Sequence, residues 1–475
     1  MKLRHDRLIL SLLLFCSVPF VCGRAIATEP VLWVQTQPIA DLQGRPNLSP
    51  GQSKQVRKNQ QTAVNILRRT LNSYQEPNDQ VDERNERLFR SGSLIAQTLS
   101  IQEAWQLFKQ ANEQIDNNKA QEAIRLLNIA KNIFDGDGDT YGEVATLISL
   151  GTACMQLQSC DQTLNYYQRA RTIVEKIKQH KDYYYLVTLV NIGIGDFYKD
   201  RKDYKQALKY HQTAILSANK IAGDDRYFRL NYINREIGYI YNELDDYDSS
   251  ISFFQKALEF ARYVSHEQEA YAHSSLAWAY NRKDKYVQAL SHAQEALRIF
   301  KEEKNLSGQS MSTDILGSIH DNLGIYDKAK QFYLESLMIN RGMCLKDLRF
   351  CNSNGEAITR SNLGFLYNNL NEPENARKIL EDAWKICSQP NICDEDFKGK
   401  ILSNLAAAYY GLQQYENAVK YAEQSIAVKG DEDRQGLARA FWQLGVFYQT
   451  MGKLEQAREK YQKSLIILGL SIRVC

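Results

Sequence analysis

Six cysteines stand in close pairs: Cys154/Cys160, Cys344/Cys351 and Cys387/Cys393. Their spacings are longer than the CxxC ligand pairs of structural zinc sites, so each pair reads as a local disulfide of an exported protein. The four cysteines of the last two pairs allow three connectivities. Asp135-Gly-Asp-Gly-Asp139 offers carboxylates to a calcium ion. An EF-hand loop needs Gly at its sixth position and Glu at its twelfth, and here those are Thr140 and Thr146. A polar turn is the expected role. His266-Glu267 begins an HExxH-like string, but Ala270 stands where the second zinc ligand would be. His211 and His320 fall on helix-packing positions. No GxSxG and no phosphate-binding glycine loop accompanies these residues. No catalytic residue, metal or cofactor is expected.

The residues around these candidates follow a repeat. A small residue is followed twelve positions later by another, and seven later by a third. The first set is Ala111, Gly151, Gly195, Gly238, Ala277, Gly317, Gly364, Ala406 and Gly445. The second is Ala123, Thr163, Ala207, Ser250, Ala289, Ala329, Ala376, Ala418 and Ala457. The third is Ala130, Ala170, Ala214, Ala257, Ala296, Ser336, Ala383, Ser425 and Ser464. Two antiparallel helices approach closely only where side chains are small. The first small residue therefore lies mid-way along a first helix. The other two, seven apart, share a face of a second helix. No single pair buries enough surface to stand alone, so the pairs must stack into a solenoid. The absence of proline between Pro77 and Pro373 agrees with long helices.

The pattern resembles the tetratricopeptide repeat family. The stretches that carry the resemblance include IGDFYKDRKDYKQALKYHQTA, IGYIYNELDDYDSSISFFQKA and LGVFYQTMGKLEQAREKYQKS. The resemblance spans about 104 to 471 and implies an all-α, right-handed α-solenoid of about nine antiparallel helix pairs. The long units, with inter-unit stretches such as FDGDGDTYGEVATL, are similar to bacterial arrays often fused to caspase-like proteases. No such domain is expected within this chain.

Within the repeat, Cys154 and Cys160 occupy places where other units carry Tyr198 and Tyr204, or Tyr241 and Tyr247. One unit has exchanged an aromatic pair for two cysteines, which predicts contact across the turn between its helices. Cys344/Cys351 and Cys387/Cys393 are expected in successive inter-unit loops.

Positions three before, one after and four after the first small residue share one helix face. They give Arg235, Tyr239 and Asn242; Ser274, Trp278 and Asn281; Asp314, Ser318 and Asp321; and Ser361, Phe365 and Asn368. Tyr232 and Tyr271 lie one turn earlier, and Trp442 begins the same row in the last unit. Aromatic rings beside amides suit capture of an extended peptide, because an Asn amide pairs with both backbone groups. The resemblance implies that this row lines the concave groove.

The compartment is read from the N-terminus. Lys2 to Arg7 is basic, Leu8 to Val21 is mostly apolar, and Ala25-Ile26-Ala27 fits a signal-peptidase site. A signal peptide at 1–27 is followed by a polar, proline-containing tether at 28–98 and by the solenoid at 99–475. No further segment is long and apolar enough to span a membrane. The chain carries 59 Lys+Arg against 56 Asp+Glu, a net +3. Lys2, Arg4, Arg7 and Arg24 against Asp6 account for +3, leaving 3 − 3 = 0 for the rest. A neutral mature chain lacks the basic surplus of nucleic-acid binders. The expectation is an exported, periplasmic or extracellular scaffold for a peptide or protein partner. The alternative is a regulatory or substrate-recruiting subunit of a separately encoded enzyme. A third reading is a homo-oligomer, with Cys475 available to join two chains.

Overall fold

The computed structural model describes residues 100–117, 119–157, 160–346, 353–389, 392–428 and 434–468. The signal peptide and tether expected at 1–98, together with Cys351 and Cys475, lie outside these residues. Among the described residues there are eighteen α-helices and no strand. They are α1 Ile101–Asp116, α2 Ala120–Asp137, α3 Thr140–Gln156, α4 Thr163–Val174, α5 Tyr183–Asp200 and α6 Tyr204–Ala218. Next come α7 Asp225–Glu243, α8 Tyr247–Ala261, α9 His266–Arg282, α10 Tyr286–Glu302, α11 Leu306–Asn322 and α12 Tyr326–Lys346. The last are α13 Ser353–Asn369, α14 Pro373–Cys387, α15 Glu395–Gly411, α16 Tyr415–Val428, α17 Arg434–Thr450 and α18 Leu454–Ile467. Odd-numbered helices are the first of a pair and even-numbered helices the second, giving nine pairs.

The helices divide into two compact units, one ending at Ile233 and the other beginning at Asn234, inside α7. In the first unit α1 to α6 each pack on the next; in the second, α8 to α18 do the same. First helices of neighbouring pairs also touch: α1 with α3 and α3 with α5 in one unit; α9 with α11, α11 with α13, α13 with α15 and α15 with α17 in the other. Among the described residues, second helices of neighbouring pairs pack less closely than first helices do. Within each unit the first helices are thus drawn together and form the inner layer.

Every small residue of the repeat is buried. What covers it is the residue sixteen positions on. Tyr167 lies over Gly151, His211 over Gly195, Phe254 over Gly238, Tyr333 over Gly317, Leu380 over Gly364 and Tyr461 over Gly445. Where the first small residue is Ala277 or Ala406, the position sixteen on is Ala293 or Ala422. A large side chain on the second helix thus faces a glycine on the first, and in these two pairs a methyl faces a methyl, as close packing requires.

A second regularity lies one residue away. The aromatic three after the small residue stacks on the residue fifteen after it. The pairs are Tyr198 with Tyr210, Tyr241 with Phe253, Tyr280 with His292, and Tyr409 with Tyr421, with interplanar angles of 11°, 15°, 5° and 10°. His320 and Phe332 meet in the same place at 41°. Such contacts add roughly 0.5–1.5 kcal/mol each beyond area burial.

The turns within pairs are equally regular. Lys202, Asp245, Asp284, Gly324, Asn371, Gln413 and Gly452 all have positive φ, and each stands seven after its small residue. After the turn, Asp203 and Asp246 accept backbone N–H bonds as N-caps of α6 and α8.

The stretch Asp135–Asp139 is a helix junction. Asp135 to Asp137 close α2, Gly138 has φ 72°, and Asp139 caps α3 by accepting from the Gly142 N–H. Neither Cys344 nor Cys387 stands in a loop, because α12 continues to Lys346 and α14 ends on Cys387 itself. Cys154 and Cys160 have their Cα atoms 5.1 Å apart, and so do Cys387 and Cys393. Both separations suit a disulfide. Non-reducing peptide mapping is expected to recover peptides 154–160 and 387–393 as crosslinked species; free thiols at all four positions would remove both bridges.

Candidate functional site

The residues expected to line the groove separate into two groups. The first joins consecutive first helices. Tyr232, in the first unit, is buried and donates its hydroxyl to the Asp196 carboxylate at 2.8 Å. His211 Nε2 lies 3.5 Å from the same carboxylate.

In the second unit Arg235 is buried and donates to the Gln268 side chain at 3.4 Å, with its guanidinium 5.9 Å from the Tyr271 ring centre. The hydroxyls of Tyr239 and Ser275 are 2.9 Å apart, and the Tyr239 ring meets Phe254 edge-on. Tyr271 packs edge-on against Phe300 and accepts from the Asn305 amide. Ser274 pairs with Ser312. Asn281 donates to Ser318 at 3.1 Å and accepts from Asn322 at 3.0 Å. Asp314 accepts from Asn362 at 3.0 Å, and Asn368 donates to the Asn404 carbonyl at 2.9 Å. Ser361 and Asn242 are also buried. A polar side chain on one first helix therefore bonds to the next first helix along much of the unit. Sequence periodicity placed these residues on one face but gave no measure of how near the next helix comes.

The second group is open to solvent. Phe365 on α13 is 46% exposed and Trp442 on α17 is 55% exposed. Trp278 and Asp321 are half-buried, as are Ser318 and Asn368 of the first group. On α15, between these helices, Ala407 stands at the repeat position of Phe365 and Ser403 at that of Trp442. Burial pushes Asp314 up to about 7 and Asp321 up to about 6, with hydrogen bonds from Thr359 and Asn362 partly offsetting the rise at Asp314. Burial, with both carboxyls nearby, also holds Tyr333 far above its ordinary value.

Of the histidines, His211 and His320 are buried in the packing positions their spacing implied. His266 opens α9. One contact went unannounced by the spacing: the Nδ1 atoms of His273 and His292 lie 2.8 Å apart. The only available signal was that His292 replaces the aromatic ring found fifteen after the small residue in other units. Among the described residues, no group of three or more His, Cys, Asp or Glu is placed to hold a metal ion.

Helix pairs stacked through small residues, with an inner layer of first helices, define a repeat scaffold. Tetratricopeptide repeat models match residues 228–302 and 397–468, 315–342, and 357–389. The chain carries tetratricopeptide repeats within residues 228–468. Among solved structures it is similar to the apo form of RapI, at 17% identity and a TM-score of 0.53, over 77% of this chain and 97% of that one. It is similar to a Rap protein complexed with Competence and Sporulation Factor, at 11% identity and a TM-score of 0.53, over 78% and 98%. The apo quorum sensor NprR from B. thuringiensis matches at 16% identity and a TM-score of 0.50, over 74% and 97%. These likenesses concern the fold. No curated protein matches the chain. The resemblance to arrays fused to caspase-like proteases finds no support in these matches.

Proposed function

We propose that this protein is an exported, non-enzymatic scaffold that binds a peptide segment or protein partner on the inner layer of its second unit. The observation that carries the reading is the exposure of Phe365 and Trp442 there. Large rings left in water cost free energy, and rings of this kind dominate binding when a partner covers them. Half-buried Trp278 and Asp321 extend the surface with ring and carboxylate. The fold's likeness to a Rap protein solved with a bound factor supports a partner of this kind. The basic and apolar N-terminus ending at Ala27, with two cysteine pairs at bonding distance, supports export.

The test uses the mature chain from Thr28 as bait against the native envelope fraction. Beside it stands a variant carrying Phe365→Ser and Trp442→Ser. A partner retained by the wild type is expected to be lost from the variant, each ring contributing about 2 kcal/mol or more. Circular dichroism should show unchanged helix content. Equal retention by both proteins would move the site off this face.

A further inference from the structure

The contact between His273 on α9 and His292 on α10 serves no other role described above. Its two Nδ1 atoms are 2.8 Å apart, so one ring donates and the other accepts. Both rings must be neutral for that bond, or one proton must be shared. A further proton would set two N–H donors against each other. The rest of the enclosure is electrically balanced. On α9, Glu269 lies 4.0 Å from His273 Nε2 but also accepts from Arg262, the residue that follows α8. On α10, Glu295 is held by Arg298, which also binds Glu302. The Tyr280 ring covers His292, and Gln255 of α8 donates to the Tyr280 hydroxyl. Glu269 and Glu295 favour a charge on His273 and Arg262 and Arg298 oppose it, so burial sets the direction.

We propose that the His273–His292 contact is an acid-sensitive latch, whose protonation loosens the fifth helix pair and disturbs the Trp278–Asn281 face that α9 presents. The consequence for partner binding rests on the functional reading above; the loosening itself does not. Burial, and secondarily the facing imidazole, pushes His292 down to about 4, and burial lowers His273. Lowered values mean that the folded pair resists protons the unfolded chain accepts. Its stability is complete above the unfolded value of about 6.5 and is lost as pH falls from there toward about 4.

Hydrogen exchange tests the latch without a partner. Corrected for intrinsic chemistry, the opening constant of residues 266–302 is expected to rise ~10-fold between about pH 7.5 and about pH 5.5. Residues 373–428, which lack a histidine, should serve as the internal reference. His292→Phe places there the ring type that Phe253 and Phe332 supply in neighbouring pairs, and it should abolish the rise. A uniform response across both segments, or the same rise in His292→Phe, would overturn the proposal. An imidazole titration of the wild type is independent of any variant: both rings titrating in the ordinary histidine range would also overturn it. Acid release of a captured partner, absent in His292→Phe, would link the latch to binding. Persistence of the partner at acid pH, with the exchange result intact, would detach the latch from the binding reading alone.

Discussion

Gly238→Leu is expected to unfold the second unit locally, with a loss of about 3 kcal/mol or more. A Cβ built at Gly238 would meet Phe254 ring carbons at 2.5 and 2.6 Å. The ring cannot retreat readily, because Phe254 is fully buried and also meets Tyr239. Even Gly238→Ala should lower the chemical-denaturation midpoint. The informative variant is the double one. Gly238→Ala with Phe254→Ala recreates the combination found natively at Ala277/Ala293 and Ala406/Ala422. Phe254→Ala alone should cost about 3–5 kcal/mol through the cavity it leaves. The double variant should be more stable than the sum of the two single losses predicts, by about 1 kcal/mol or more. Strict additivity in denaturant titrations would mean that the two positions do not share one space.

The second large effect is on pH dependence. Asp314 is raised by burial to about 7 in the fold, against about 3.8 unfolded. The sign follows from proton uptake: the folded state holds a proton that the unfolded state has released. The contribution is complete below the unfolded value and is lost as pH rises through about 7. A shift of this size corresponds to about 4 kcal/mol of stability lost between acid and alkaline conditions, an upper figure for a partly accessible residue. Asp314→Asn, which keeps the shape without the charge, is expected to flatten stability between about pH 5 and about pH 8. It should be the more stable protein at the alkaline end. Asp321, raised to about 6 by burial, should leave a smaller residual slope. Thermal melts across this range would check both statements, and an unchanged slope in Asp314→Asn would refute the assignment. The histidine pair acts in the opposite direction, toward acid, so the variants separate the two contributions.

The fold was legible because its cause is local and periodic. Gly238, Ser250 and Ala257 announce a close helix pair by size alone, and the same spacing recurs through Gly445, Ala457 and Ser464. The site was legible only as a face. Arg235, Asn281 and Asp314 stood on that face together with Phe365 and Trp442, yet the former bond to a neighbouring first helix and the latter remain in solvent. That difference depends on the distance between helices about forty residues apart in sequence, which no pattern within one helix encodes. The compensation between a small residue and the ring sixteen later was present in the sequence. It becomes intelligible only once the second helix is seen to place that ring on the first. The cysteines show the same boundary: their spacing located Cys154 and Cys160 across a turn, but not the continuation of α12 past Cys344.

The restriction of packing to immediate neighbours within each unit also bears on how the chain acquires its structure. Closing a contact between consecutive helices requires a loop of only a few residues, and joining consecutive first helices spans only about forty, so little chain entropy is lost before each contact is made. A nascent polypeptide can therefore complete each pair as it emerges and use it as the template for the next. The order of synthesis and the order of assembly coincide, and no segment needs to wait for a distant partner before its apolar face is covered.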